Sequence, residues 1–449
     1  MLQPIIFIAV TAAAFWVAGK NFLKIRRNIL LGKELPDGDP LGAGGRGNSS
    51  ERWRNVLLIA FGQKKMFARP IPAIFHFFIY AAFLLTQIEL IEILLDGVTG
   101  HHRMIGASLG GFYTFIISFI EILSVLAFVA TVIFLLRRNV LRIARFHKPE
   151  MKGWPTKDAN LILCMEILLL IGIFSMNGAD QVLQSMGAEH YPQTGHFLVS
   201  SHLGPALFGG MGEGALHVIE RFGWWLHILV VYGFLIYLSI SKHLHILLAF
   251  PNTYFAKLNA KGEFTNMPEI QREVASMMNP EAAQPPAPEG EPEGEISFGA
   301  NDVTKLSWKN LLDAYTCTEC GRCTSVCPAN LTGKKLSPRK VMMDVRDRME
   351  EVGRNMDAAK SASPTDDGKT LFDYISREEI HACTTCNACV EACPVLIDPL
   401  DIILQLRRHE ILMESAGPSD WLPLFNSLEN SQAAWAVSTE RDAWKQSLT

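Results

Sequence analysis

The chain has 449 residues, 49% of them in AVILMFWYC and 19% charged, with a formal net charge of -4 and a mean hydropathy of +0.17. Soluble domains carry about a quarter charged residues, so part of this chain belongs in lipid, and its near-neutral charge offers nucleic acid no basic surface. The apolar excess lies before about residue 250 and eight of the nine cysteines lie after residue 316, which excludes one uniform globular domain.

A helix needs about 20 mostly apolar residues to cross a bilayer. Five stretches qualify: about 3 to 20, 70 to 95, 112 to 136, 159 to 177 and 223 to 249. The first does not read as a cleavable signal peptide, because its basic residues Lys20, Lys24, Arg26 and Arg27 follow the apolar run instead of preceding it. GAGGRG at positions 42–47 satisfies G-x-G-x-x-G formally, but no strand precedes it, so it reads as a loop. The next segment, WRNVLLIAFGQ, is apolar with basic flanks and is expected at the membrane interface.

Lys and Arg set the expected orientation. Eleven fall between Lys20 and Arg69 and seven between Arg137 and Lys157, whereas the alternate loops hold Arg103 and Arg221. The first terminus therefore faces outward, and everything after Phe250 faces the cytoplasm. Residues 178 to 222 form a long outward loop, whose His190, His196, His202 and His217 read as surface residues.

Ionisable side chains within spans call for a reason. They include His76 in the second span and His227, His243 and His245 in the fifth. In a continuous helix, His227 and His245 lie five turns apart on one face, about 27 Å along the axis, a separation suited to two stacked haems and too great for one metal ion. Depth pairs His76 with His245, each about two turns from the cytoplasmic end of its span. Glu89, Glu92, Glu121 and Glu166 are expected to make interhelical hydrogen bonds, and Cys164 to be a small buried hydrophobe.

Residues 279–297, NPEAAQPPAPEGEPEGEIS, are acidic, rich in proline and without large apolar residues, the composition of a tether. Two motifs of identical cysteine spacing follow: CTECGRCTSVCP with Cys317, Cys320, Cys323 and Cys327, and CTTCNACVEACP with Cys383, Cys386, Cys389 and Cys393. C-x2-C-x2-C-x3-C-P is the ligand run of two-cluster ferredoxins, in which the fourth cysteine of each run ligates the other cluster. That pattern assigns one [4Fe-4S] cluster to Cys317, Cys320, Cys323 and Cys393, and the other to Cys383, Cys386, Cys389 and Cys327. Structural zinc would need only two C-x2-C pairs, and disulfides are disfavoured in a reducing cytoplasm. Between and after the motifs, Val341 to Val352, Leu371 to Tyr374, Glu378 to Ala382 and Asp398 to Met413 read as helical.

Two resemblances extend these readings. WWLHILVVYGFLIYLSISKHLHILLAFPNTYF, with AIFHFF, resembles the cytochrome b (gamma) membrane subunit of respiratory nitrate reductase and the related membrane subunit of heterodisulfide reductase. The resemblance implies bis-histidine b haems beside a quinone site, with His76, His227 and His245 matching three of four ligand positions. The fourth falls where this chain has Thr86 and Gln87. An outer haem is then either lost, leaving His227 near an outward quinone pocket, or served by a loop histidine such as His102, His202 or His217. CPANLTGKKLSPRKVMMDVR, LQLRRHE and STERDAWKQ make residues 305 to 445 similar to heterodisulfide reductase iron-sulfur subunits and to helical ferredoxins of the succinate dehydrogenase type.

The expected architecture is all-α: a five-helix transmembrane bundle (1–250), a cytoplasmic linker (251–304) and a helical dicluster ferredoxin domain (305–449). The expected function is electron transfer between a cytoplasmic redox partner and the quinone pool, through two [4Fe-4S] clusters and one or two b haems. No CCG motif is present, so the catalytic partner is expected to be a separate CCG-type iron-sulfur chain or a flavoprotein. A haem-free membrane anchor carrying the ferredoxin is the alternative.

Overall fold

The computed structural model describes residues 2–35, 49–260, 262–279, 297–434, 442, 444 and 445. The glycine-rich positions 42–47 and most of the acidic segment lie outside the described residues. Among the described residues every regular element is helical, and the only bridge pairs Lys33 with Ser307.

The first half runs α1 (Leu2–Ile29), α2 (Ser49–Asn55), α3 (Pro70–Thr99), α4 (Met104–Leu109), α5 (Gly111–Asn139), α6 (Trp154–Met186), α7 (Ser200–Phe208) and α8 (Glu213–Tyr237). Of these, α1, α3, α5, α6 and α8 are the five helices long and apolar enough to cross a membrane. Pro70 opens α3 at a position where the missing N–H is harmless, and Gly100, at φ 78°, closes it. The bundle core collects Phe7, Ile93, Leu170, Trp224, Ile228 and Tyr232. On α6 and α8, Gly172 and Gly223 face each other. A Cβ on Gly223 would meet Gly172 O at 2.7 Å, and one on Gly172 would meet the His227 backbone N at 3.0 Å.

Several expectations change here. The fourth span reaches Met186 and the fifth begins at Glu213, so much of 178–222 is helical; His202 lies on α7 and His217 on α8. The fifth span does not continue to residue 249. After α8 a 3-10 turn covers Leu238–Ile240, Ser241 is extended (φ -120°, ψ 161°), and a second 3-10 turn (Lys242–Leu244) leads into α9 (His245–Tyr254). His227 and His245 therefore lie on different helices, and the five-turn spacing fails. Ser241 makes the break by accepting the His243 N–H at 3.2 Å, while Asp158 on α6 accepts the Lys242 N–H at 3.2 Å. Cys164 is exposed on α6 instead of buried.

WRNVLLIAFGQ is not merely interfacial. It folds as α2 and a π-helical turn (Val56–Phe61) packed on α9, with Arg52 fully buried and donating to Tyr254 O at 3.0 Å. Phe61 meets Phe250 at 4.6 Å.

The second half continues with α10 (Pro268–Met278), α11 (Trp308–Thr316), α12 (Pro328–Leu331), α13 (Pro338–Ala359), α14 (Arg377–His381), α15 (Ala388–Ala392), α16 (Pro399–Leu412) and α17 (Leu422–Ser431). Leu371–Asp373 is a 3-10 turn. Ser307 caps α11 in a reciprocal box with Asn310. The core of this half, built on Leu306, Leu311, Val341, Met349, Ile402 and Leu406, also takes in Ile25 of α1 and Leu244. Backbone bonds from Lys33 N–H to Leu306 O and from Trp308 N–H to Lys33 O cross the same junction, so the membrane helices and the cysteine half share one interior.

Candidate redox site

Among the described residues no three His, Cys, Asp or Glu side chains converge on a single metal ion. The cysteines instead form two wider groups. Electrostatic interactions join Cys317, Cys320, Cys323 and Cys393, with Cys389 also reaching Cys323, and a second group contains Cys383, Cys386, Cys389 and Cys327. A cavity lined by Cys327, Cys383, Cys386 and Cys389 marks the second. The fourth cysteine of each motif thus stands with the other motif. Burial, with the neighbouring thiols, pushes Cys317 and Cys393 up to about 12. Four such thiols become thiolates only against a compensating charge, which a bound iron-sulfur cluster supplies. Backbone N–H groups of Thr385 and Ile397 approach Cys383 Sγ and Cys393 Sγ at 3.4 and 3.3 Å, the kind of contact that tunes cluster potential.

The two groups differ in setting. Cys386 is exposed. Cys320, by contrast, faces Arg145 and Arg322, and burial together with Arg69, Arg322 and Arg137 pulls Arg145 down to about 10. Arg322 donates to Lys65 O and Met66 O at 3.2 and 3.4 Å, and Arg69 to Ser325 Oγ at 2.6 Å. The first motif is therefore clamped to the start of α3.

His76 and His245 lie within electrostatic reach of each other, and Arg322 reaches His76 as well. His76 Nδ1 contacts Gln63 Oε1 at 3.1 Å, His245 Nδ1 contacts Lys242 O at 2.8 Å, and His227 Nδ1 contacts Leu169 O at 3.2 Å. A carbonyl-type oxygen at Nδ1 fixes that nitrogen as the N–H donor and leaves Nε2 with its lone pair, the arrangement of a metal-ligating imidazole. Burial holds His245 below its usual range, hence neutral. Lys242 also donates to Glu319 at 2.6 Å, and Glu319 sits between Cys317 and Cys320. One residue thus ties the His245 turn to the first cysteine motif.

The donor set fits a bis-histidine haem at His76 and His245. His227 has the same Nδ1 arrangement, and the position expected to face it holds Thr86 and Gln87. Thr86 and Gln87 both turn back to Phe83 O. Among the loop histidines, His102 is engaged by Asp180 at 3.1 Å, His217 contacts Tyr191 at 3.1 Å, and His202 is exposed on α7.

The four glutamates all bond between elements: Glu89 with Asn177, Glu92 with Tyr113, Glu121 with the Val199 and Ser200 N–H groups, and Glu166 with Thr131. Gln63 and Lys242 carry no sequence signal, since they act through a remote amide and a backbone carbonyl. The π-turn and the positive φ of Gln63 (49°) are the local irregularities that aim the amide.

Residues 316–397 match the family model of the 4Fe-4S dicluster domain. Together with five helices long and apolar enough to cross a membrane, this gives an all-α chain that carries a 4Fe-4S dicluster domain and is similar to heterodisulfide reductase polypeptides in its cysteine half. Over 88% of the chain it is 27% identical to the probable iron-sulfur-binding oxidoreductase FadF of Bacillus subtilis, covering 55% of that protein. Over 86% it is 26% identical to the EtfAB:quinone oxidoreductase of Syntrophomonas wolfei, covering 53%. One polypeptide of the ferredoxin/F(420)H(2)-dependent CoB-CoM heterodisulfide reductase of Methanosarcina acetivorans is 33% identical over 24% of the chain and 53% of its own length. The chain spans about half the length of the first two relatives. No solved structure matches.

Proposed function

We propose that the chain is a membrane-bound electron-transfer subunit linking a soluble redox partner to the quinone pool, with two [4Fe-4S] clusters and one b haem as its carriers. Its domains are a cytochrome b-like membrane part (1–250), a linker (251–304) and a dicluster part (305–449). The Lys and Arg bias of the loops supports a cytoplasmic cysteine half, with the inner (cell) membrane as the compartment. Cys317, Cys320, Cys323 and Cys393 hold one cluster; Cys383, Cys386, Cys389 and Cys327 hold the other; His76 and His245 hold the haem.

Bound, these groups supply one-electron redox chemistry. The chain's own residues position and insulate them. Cys386 leaves the second cluster open to a partner, the arginines encircle the first, and Lys242 fixes the distance between the first motif and His245. That Lys242 contact, at 2.6 Å to Glu319 and 2.8 Å to His245, is the observation that carries the reading. The name of the Syntrophomonas relative supports a quinone at one end and an electron-transfer flavoprotein as partner; the heterodisulfide reductase relatives support a CCG-type iron-sulfur chain in that role.

The test is a visible spectrum of the purified, dithionite-reduced chain. A b-type α band that vanishes in His76→Ala and in His245→Ala, and that menadione reoxidises, is expected. A chain with about eight irons and no such band would instead be the haem-free anchor, the reading favoured by Thr86 and Gln87 standing where a fourth histidine is needed.

A further inference from the structure

Beside His245 lies a polar group that neither cysteine motif nor the haem ligands use. His243 stacks on Phe234 of α8 (ring centroids 5.7 Å apart, 23°) and meets the His245 ring at 6.1 Å. Its Nε2 stands 4.0 Å from Glu166 Oε1 on α6. The other Glu166 oxygen accepts from Thr131 on α5 at 3.0 Å. Three helices and a turn therefore converge on one imidazole and one carboxyl, with side chains 17% and 20% exposed at the surface of the bundle.

The 4.0 Å gap is too long for a hydrogen bond. It suits a third atom. An acceptor oxygen can sit about 2.8 Å from two donors held that far apart, so a carbonyl oxygen placed there accepts from both the imidazole N–H and the carboxylic O–H. A charged carboxylate in this place would have one hydroxyl, Thr131, in hydrogen-bond contact and an imidazole 4.0 Å away to balance it within an apolar span. Phe234 adds an aromatic face, and the partial exposure of both side chains leaves this pair at the edge of the bundle. Lys242 and Asp158, 3.6 Å apart, mark its more polar edge.

We propose that His243 and Glu166 form the quinone headgroup site. The inference rests on the quinone-linked function above and places the reaction on the side of the cysteine half, away from His227. One quinone takes two electrons and two protons to become quinol. The electrons originate with the soluble reductant and arrive singly through the carriers held by this chain. Glu166 gives its proton to the carbonyl oxygen it shares with His243, water gives the second at the other oxygen, and water past Lys242 and Asp158 restores Glu166.

The full chain in detergent tests this with a hydroxyquinoline N-oxide, a fluorescent quinone analogue whose binding needs no electron transfer. The wild-type chain should quench it saturably at one site, and Glu166→Leu and His243→Phe should weaken binding at least tenfold. Glu166→Gln keeps a donor but has no proton to give. It should bind within about threefold of wild type, yet reduce menadione at least tenfold more slowly from the dithionite-reduced state, with ferricyanide reduction unchanged. If His243→Phe loses its haem band, Glu166→Leu decides alone. A wild-type chain that binds the analogue and reduces menadione while both Glu166 variants match it would overturn the site and leave the function standing. Failure of the wild type itself to bind the analogue or reduce menadione would overturn both.

Discussion

An imidazole ligates metal through whichever nitrogen its neighbours leave free, so the amide of Gln63 matters as much as the ring of His76 that it holds at 3.1 Å. Losing such an orienting partner lowers metal-site affinity roughly 10- to 100-fold. Gln63→Leu should therefore reduce haem occupancy by that order, read as pyridine haemochrome per protein, with cluster iron unchanged. Glu319 gives a second residue-scale test. Burial works to raise its pKa, but Lys242 and Arg346 overcome this and hold it below the usual carboxylate value. A depressed folded pKa stabilises the fold above the unfolded value of about 4.3, and that contribution is lost as pH falls through the lower folded value. The wild-type melting temperature should consequently drop more steeply than that of Glu319→Gln between about pH 5 and pH 3.

At the scale of elements, the five spans were legible because lipid demands long apolar runs whatever the tertiary context, and Pro70 and Gly100 punctuate α3 visibly. The break at Ser241 was not. Apolar residues resume beyond it at Leu244 and Ile246, no proline or glycine marks it, and it exists because Asp158 and Glu319, 84 and 77 positions from Lys242, draw that residue out of the helix. The depth of His76 and His245 was readable, but their approach comes from a turn and a fresh helix, not from one straight helix. Close packing of α6 on α8 was equally hidden, since Gly172 and Gly223 look ordinary until their backbones meet. Gly223→Val would force Gly172 O and Met176 N away from 2.7 Å contacts. Overpacking of this kind costs about 1–3 kcal/mol, so the variant should melt several degrees lower, with the clusters intact at low temperature.

For the molecule as a whole, the membrane helices and the cysteine half behave as one folded body. Ile25 and Leu244 enter the ferredoxin core, Arg339 is fully buried while donating to Glu150 and Arg145 O at 2.7 Å, Asn252 donates to Val395 O at 2.9 Å, and Arg27 pairs with Asp357. The consequence most open to measurement is the exchange of cysteines between motifs. If each motif bound its own cluster, Cys393→Ser would damage the exposed site containing Cys386 and leave the arginine-ringed site untouched. The interlocked grouping requires the reverse. Cys393→Ser should lose the spectroscopic signal of the cluster nearer the membrane and stop electrons from an external reductant reaching the haem, while an alkylating agent still finds Cys386 protected by its cluster. Cys327→Ser, in the first motif, should do the opposite: expose Cys386 to alkylation and leave the inner signal in place. Electron paramagnetic resonance of the two reduced variants, combined with mapping of the alkylated cysteine, separates the two arrangements, because each variant is predicted to damage the site its own motif does not build.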